Sequence, residues 1–254
     1  YTYSGDVVSA GGAATVASYY GSAAGNSTVG IFALGCNASN TELTTRDKYT
    51  YSGDVVSAGG AATASSFHGS AAGNSTVGIF ALGFASGTVA TRNKYTYSGC
   101  VVSAGSVATV ASQRGSAAGN STTGIFALGQ NACCVRLTTR DKYTYSGDVV
   151  AAGGASTVAS SRSSAVGNGT FGIFALGQTP SNSTTRNKYT YSGCVVSAGG
   201  AATVASRSGS AAGNSTVGIF ALGYVVGSPV PPASTTRNKY TYSSDAVSAG
   251  GAAT

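Results

Sequence analysis

The feature that most constrains this chain is a repeat of roughly 47 residues. Tyr-Thr-Tyr-Ser starts at Tyr1, Tyr49, Tyr95, Tyr143, Tyr189 and Tyr240, in steps of 48, 46, 48, 46 and 51. Gly-Ile-Phe-Ala-Leu-Gly starts at Gly30, Gly78, Gly124, Gly172 and Gly218. The segment GSAAGNSTVGIFALG occurs letter for letter at 21–35, 69–83 and 209–223. A unit this short cannot enclose a core alone, so its apolar face must be buried against the next copy. The chain 1–254 therefore reads as a single repeat domain, with a partial sixth copy at 240–254.

Within one period, four strand-like pieces are separated by turn chemistry. TTRDKYTYS (44–52) alternates, with Asp47, Tyr49 and Tyr51 on one side and Arg46, Lys48 and Thr50 on the other. Ser-Gly-Asp then reads as a tight turn, with Gly53 free to take positive φ. VVSAGGAAT (55–63) is a second strand, HGSAA (68–72) a third, and STVGIFALG (75–83) a fourth, apolar on both faces as a doubly covered strand must be. No segment shows helical spacing. Pro180, Pro229, Pro231 and Pro232 all follow an Ala-Leu-Gly, where they interrupt no ladder.

Four strands per period predict an all-β fold: a β-propeller of four-stranded antiparallel blades. The count is five blades plus an extra half-blade at 1–15, or an incomplete six-bladed ring. A β-solenoid with two rungs per period is the alternative. The order of GIFALG, TTRDKYTYS and DVVSAGG resembles the kelch repeat, in which a strand ending in glycine precedes a strand leading to a tyrosine and a short outer strand. The resemblance spans nearly the whole chain, but the second glycine of the kelch doublet and the outer tryptophan are absent. It implies a propeller whose innermost strand would lie in VASYYGSAAGN, with Arg114 and Arg162 at the position where kelch repeats often carry an arginine.

Blade geometry sorts the variation in the chain. In an up-and-down blade, the first-to-second and third-to-fourth turns share one face of the disk. The second-to-third loop and the crossover to the next blade share the other. The first set, AGNST and YSG, hardly changes, whereas the second differs at every copy. Its loops are 36–43, 84–90, 130–137, 178–183 and 224–234, and its crossovers end in Tyr19-Tyr20, Phe67-His68, Gln113-Arg114, Ser161-Arg162 and Arg207-Ser208. Those ten residues are the candidate ligand contacts, since aromatic and arginine side chains dominate binding hot spots. Unrestrained drift is the competing reading, and it accounts better for the loops than for the pairs.

Charged residues make up only 8% of the chain, and the net charge of +7 comes from 14 basic and 7 acidic residues. Most of the basic residues belong to a repeated Arg-x-Lys, such as Arg46/Lys48, which reads as solvated charge on an exposed strand that blocks edge pairing. Spread around a rim, these charges argue against a nucleic-acid groove. His68 is the sole histidine and the five cysteines show no CxxC, so neither a metal site, a cofactor nor a Ser-His-Asp arrangement is expected. Asn26, Asn74, Asn120, Asn168 and Asn214 match the N-glycosylation pattern, but they also suit plain Gly-Asn turns. No run of apolar residues is long enough for a membrane helix. The absence of Met fits a processed chain or a piece of a longer array. These observations lead to the expectation of a non-catalytic adhesion module, outside the cell or on a virion, binding a glycan or protein surface. The alternative is a structural subunit that assembles with copies of itself through its spare half-blade.

Overall fold

A computed structural model describes residues 10–175, 177–221, 223–225 and 234–251. Among them are strands, turns and bends, and no helix. Each repeat forms one four-stranded antiparallel sheet, whose strands follow one another in chain order from the channel outward. Blade 1 is Ser22–Gly25, Val29–Ala33, Arg46–Thr50 and Val55–Ala58. Blade 2 is Ser70–Gly73, Val77–Ala81, Arg92–Thr96 and Val101–Gly105, and blade 3 is Ser116–Gly119, Thr123–Ala127, Arg140–Thr144 and Val149–Gly153. Blade 4 is Ser164–Gly167, Phe171–Ala175, Arg186–Thr190 and Val195–Gly199. Blade 5 is Ser210–Gly213, Val217–Ala221, Arg237–Thr241 and Ala246–Ala249. Inner strands pack side by side in blade order around a central channel, so the fold is a five-bladed β-propeller rather than a solenoid.

The second strand shows why the repeat folds this way. Ile31, Ile79, Ile125 and Ile173 are fully buried on its one side, and Phe80, Phe126, Phe174 and Phe220 are buried on the other. Successive strand residues point to opposite faces, so an Ile-Phe dipeptide serves both neighbouring blades at once. The glycine before it is set by packing. Gly124 lies opposite Gly119 in register, and a Cβ on Gly124 would stand 2.9 Å from Tyr145 Oη and 3.1 Å from the Ala72 Cβ of blade 2.

The structure corrects the reading of Arg-x-Lys. Arg46, Arg92, Arg140 and Arg186 are at most 1% exposed. They lie on the third strand, whose faces are covered by neighbouring blades, and alternation alone cannot show which faces are covered. Each guanidinium sits 4.5–4.7 Å from the centroid of the next blade's Phe80, Phe126, Phe174 or Phe220 ring. Nη2 donates onward to Asn93 at 3.0 Å, Asp141 at 2.7 Å, Asn187 at 3.1 Å and Asn238 at 3.1 Å. Of these four, Arg92 alone meets a carboxylate. Burial lowers the affinity of Arg46, Arg140 and Arg186 for their protons to a pKa of about 10, with a ring and an amide in place of a counter-ion.

Each of these acceptors also pins the crossover that enters its blade. Thr109 donates to Asp141 from its amide at 3.0 Å and from Oγ1 at 2.6 Å, and the Thr63, Thr157 and Thr203 amides reach Asn93, Asn187 and Asn238 at 3.1 Å. Thr15 makes the same clasp on Asp47 at 2.8 and 2.6 Å, so residues 10–15 dock on blade 1 as any crossover would. The remainder of the expected half-blade, 1–9, lies outside the described residues, as do Pro229, Pro231 and Pro232. Lys94–Asp148 and Lys188–Asp245 add ion pairs at 3.0 and 2.9 Å across two seams. Cys100 and Cys194 stand at the aspartate position in the other blades, and all five cysteines are free thiols.

On the constant face, the Gly-Asn turns are structural. Asn120 Oδ1 accepts from the Thr122 and Thr123 amides at 2.9 Å, and its Nδ2 donates to the Gly169 carbonyl of the next blade at 3.2 Å.

Candidate functional site

The five variable pairs meet on the opposite face. Tyr20, His68, Arg114, Arg162 and Ser208 all have positive φ, between 54° and 60°, turning the crossover into the inner strand. Their backbones form a ladder around the channel mouth: His68 N donates to Tyr20 O at 3.1 Å, Arg114 N to His68 O at 2.9 Å, Arg162 N to Arg114 O at 2.7 Å and Ser208 N to Arg162 O at 2.9 Å. The glycine that ends each Ala-Leu-Gly explains why the backbone is constant while the side chains vary. Gly83 has a φ of +77°, and a Cβ there would lie 2.5 Å from the His68 carbonyl oxygen. Backbone packs on backbone at this point, so the turn holds whichever side chain the second pair member carries.

The pair members separate. The second residues, together with Arg207 and Tyr224, line a cavity of about 570 Å³ at the mouth. Tyr19, Phe67, Gln113 and Ser161 do not line it. They bridge instead to the second-to-third loops, at Cys36, Phe84, Gln130 and Gln178, so crossovers and long loops share a face. Ser161 is wholly buried there and Gln113 nearly so.

The mouth is divided chemically. On blades 1 and 2 the rings of Tyr20 and His68 line it, 4.0 Å apart, and an arc of further rings backs them: Tyr19 to Tyr20 at 4.6 Å, Phe67 to His68 at 4.7 Å and Phe67 to Phe84 at 5.0 Å. Blades 3 to 5 bring Arg114, Arg162 and Arg207, and the loop of blade 3 adds Arg136. Among the described residues none of these four arginines is paired with a carboxylate, and Nε of Arg114, Arg136 and Arg207 is buried without a partner. Burial, then Arg114, Arg207 and Arg136, pull the Arg162 pKa down, Tyr20 opposing them. Burial, then Arg114 and Arg162, hold His68 at about 4, so its imidazole is neutral near pH 7. Tyr224, which lines the mouth, and Arg136 and Phe84, which stand behind Arg162 and Phe67, were not singled out by the sequence, because loop residues show no periodicity that would place them.

No group of three His, Cys, Asp or Glu is placed to hold a metal among the described residues. The arrangement can grip a negative group with the arginines and stack a ring or apolar edge on the aromatic arc. No protein-family model matches the chain, and no curated protein matches it. The class is thus defined by fold and site alone: a five-bladed propeller with a sequence-variable, half-cationic and half-aromatic channel mouth.

Proposed function

We propose that this protein is a non-catalytic recognition module of kelch-like blades, which binds an acidic glycan or an acidic protein surface at the channel mouth. One observation carries the reading. The second residues of the variable pairs, in a chain of near-identical repeats, converge on one mouth, where arginines lacking carboxylate partners among the described residues face the rings of Tyr20 and His68. Guanidinium forks suit sulfate and carboxylate groups, and an aromatic face suits the apolar face of a sugar ring. Display on the outer surface of a cell or virion fits the low charge and the near-identical copies.

The test places Ser-Ser at 19–20, 67–68, 113–114, 161–162 and 207–208 and compares both proteins on an array of neutral, sialylated and sulfated glycans and acidic peptides. Serine already occupies the positive-φ position at Ser208, so the ring should fold with serine at all five. The native chain is expected to retain acidic ligands selectively and the Ser-Ser chain to lose them. Equal retention by both would contradict the proposal.

A further inference from the structure

Among the described residues four seams between blades are built alike, and the fifth, between blade 5 and blade 1, lacks that packing. In a complete seam the inner hairpin of one blade lays small and branched side chains on the rings of the next, as Ala24, Val29 and Ile31 do on Phe80, Tyr95 and Tyr97. The Cβ atoms of Ala24, Ala72 and Ala118 stand 3.1, 3.1 and 3.3 Å from a Cβ built on Gly78, Gly124 and Gly172. The turn asparagine then crosses to the next blade, from Asn26, Asn74, Asn120 and Asn168, at 2.9–3.2 Å.

Between blade 5 and blade 1 both half-surfaces exist, and among the described residues nothing covers either as a neighbouring blade would. On the blade 1 side, Phe32 is 43% exposed where Phe80, Phe126, Phe174 and Phe220 are at most 1%, and Tyr51 is 47% exposed where Tyr97 is 6%. On the blade 5 side, Ala212 is exposed where Ala72 and Ala118 are buried, and among the described residues Asn214 makes no crossing bond like those of the other four turns. No packing like that of the other neighbours joins the inner strands Ser210–Gly213 and Ser22–Gly25. A cavity of about 670 Å³ runs from the channel onto the blade 1 flank, reaching Phe32, Tyr49 and Val56. Thr15 already clasps Asp47 on this flank, as the other crossovers clasp their blades.

We propose that this seam is an acceptor site for one more inner hairpin of the same repeat, of the type GSAAGNSTVGIFALG. The four filled seams show what such a hairpin offers. Its Ala and Ile would cover Phe32 and Tyr51, and its Phe would face Ala212 of blade 5. Its turn would accept from Asn214 and donate to blade 1. The inference is independent of what the mouth binds.

The test adds a labelled peptide of residues 67–83, FHGSAAGNSTVGIFALG, to the 254-residue protein. Saturable one-to-one binding is expected, with ring-proton shifts at Phe32 and Tyr51. Phe32→Glu, at a half-exposed position, should weaken binding roughly tenfold or more while the variant still gives the β-sheet circular dichroism spectrum of the parent. Because the peptide is apolar, a second form appends the sequence of residues 204–223 after Thr254, continuing the repeat. That chain should melt higher than the parent and shield Phe32. No binding together with an unchanged melting temperature overturns the proposal. So does self-association that buries Phe32 without peptide, or binding indifferent to Phe32→Glu.

Discussion

Phe126→Ala and Phe32→Ala delete the same side chain from the same place in the repeat, in two different surroundings. Phe126 is fully buried in a cluster with Ala72, Val77 and Ile79 of blade 2, and the Arg92 guanidinium lies 4.7 Å from its centroid. Removing such a ring costs roughly 3–5 kcal/mol, because the cavity left between two rigid sheets collapses only in part. Within that figure, the loss of the arginine's aromatic partner is about 0.5–2 kcal/mol. Phe32 is 43% exposed, so about half of the transfer free energy of a buried phenylalanine is at stake, on the order of 1 kcal/mol. Denaturant melts followed by both circular dichroism and tyrosine fluorescence should give coincident transitions and a gap of about 2 kcal/mol or more between the variants. Equal losses, or a Phe126→Ala loss well under about 1 kcal/mol, would refute the assignment of the second strand to a doubly covered layer with one open seam.

Arg92→Ala strands Asp141, buried and left with only Thr109 as a donor, and should cost roughly 3–5 kcal/mol, whereas Arg140→Ala leaves neutral Asn187 and should cost about 1–3 kcal/mol; chemical melts rank the two. Gly124→Ala should destabilise by roughly 1–3 kcal/mol, because its Cβ meets Tyr145, Ala72 and Phe126 at once, and thermal melts of the single variant check it. Burial first, and then the Cys100 thiol, raise Tyr95 to about 12, and burial likewise raises Tyr97, Tyr145 and Tyr191 above 10. The native state thus holds protons that the unfolded chain releases above pH 10, so stability should be intact below pH 10 and fall as pH climbs toward 12, with tyrosinate absorbance rising together with unfolding. His68 runs the other way: an anion in the mouth favours its protonated form, so affinity for an acidic ligand should rise as pH falls from about 6.5 toward 4, and titration calorimetry should record proton uptake.

Much of the fold was legible because a copied sequence must bury each unit against the next, and four turn-bounded strands per period allow few closures. The variable face was legible too, since blade connectivity assigns every loop to one side of the disk. Arg46, Arg92, Arg140 and Arg186 were misread for a physical reason. Alternation groups residues by face, but in a propeller both faces of an inner strand meet another blade, and the partners that make burial tolerable, a phenylalanine and an Asn or Asp, lie about 34 and 47 residues away. The division of the mouth into rings and arginines was equally hidden. It depends on which blades adjoin and on the positive φ that turns Tyr20, His68, Arg114 and Arg162 inward while Tyr19, Phe67, Gln113 and Ser161 pair with loops. The exposure of Phe32 follows from an unfilled seam, which identical letters in every repeat cannot reveal.

The proposed function requires the variable mouth, and not the constant face, to be the binding surface. Titration of the isotope-labelled protein with a sulfated oligosaccharide, followed residue by residue in amide and guanidinium resonances, tests it most directly. Shifts gathered at Tyr20, His68, Arg114, Arg162 and Arg207, and weakened by added salt as an arginine-bound anion requires, are the predicted result. Shifts centred on the Asn26, Asn74 and Asn120 turns, or none at the mouth while binding proceeds, would contradict it.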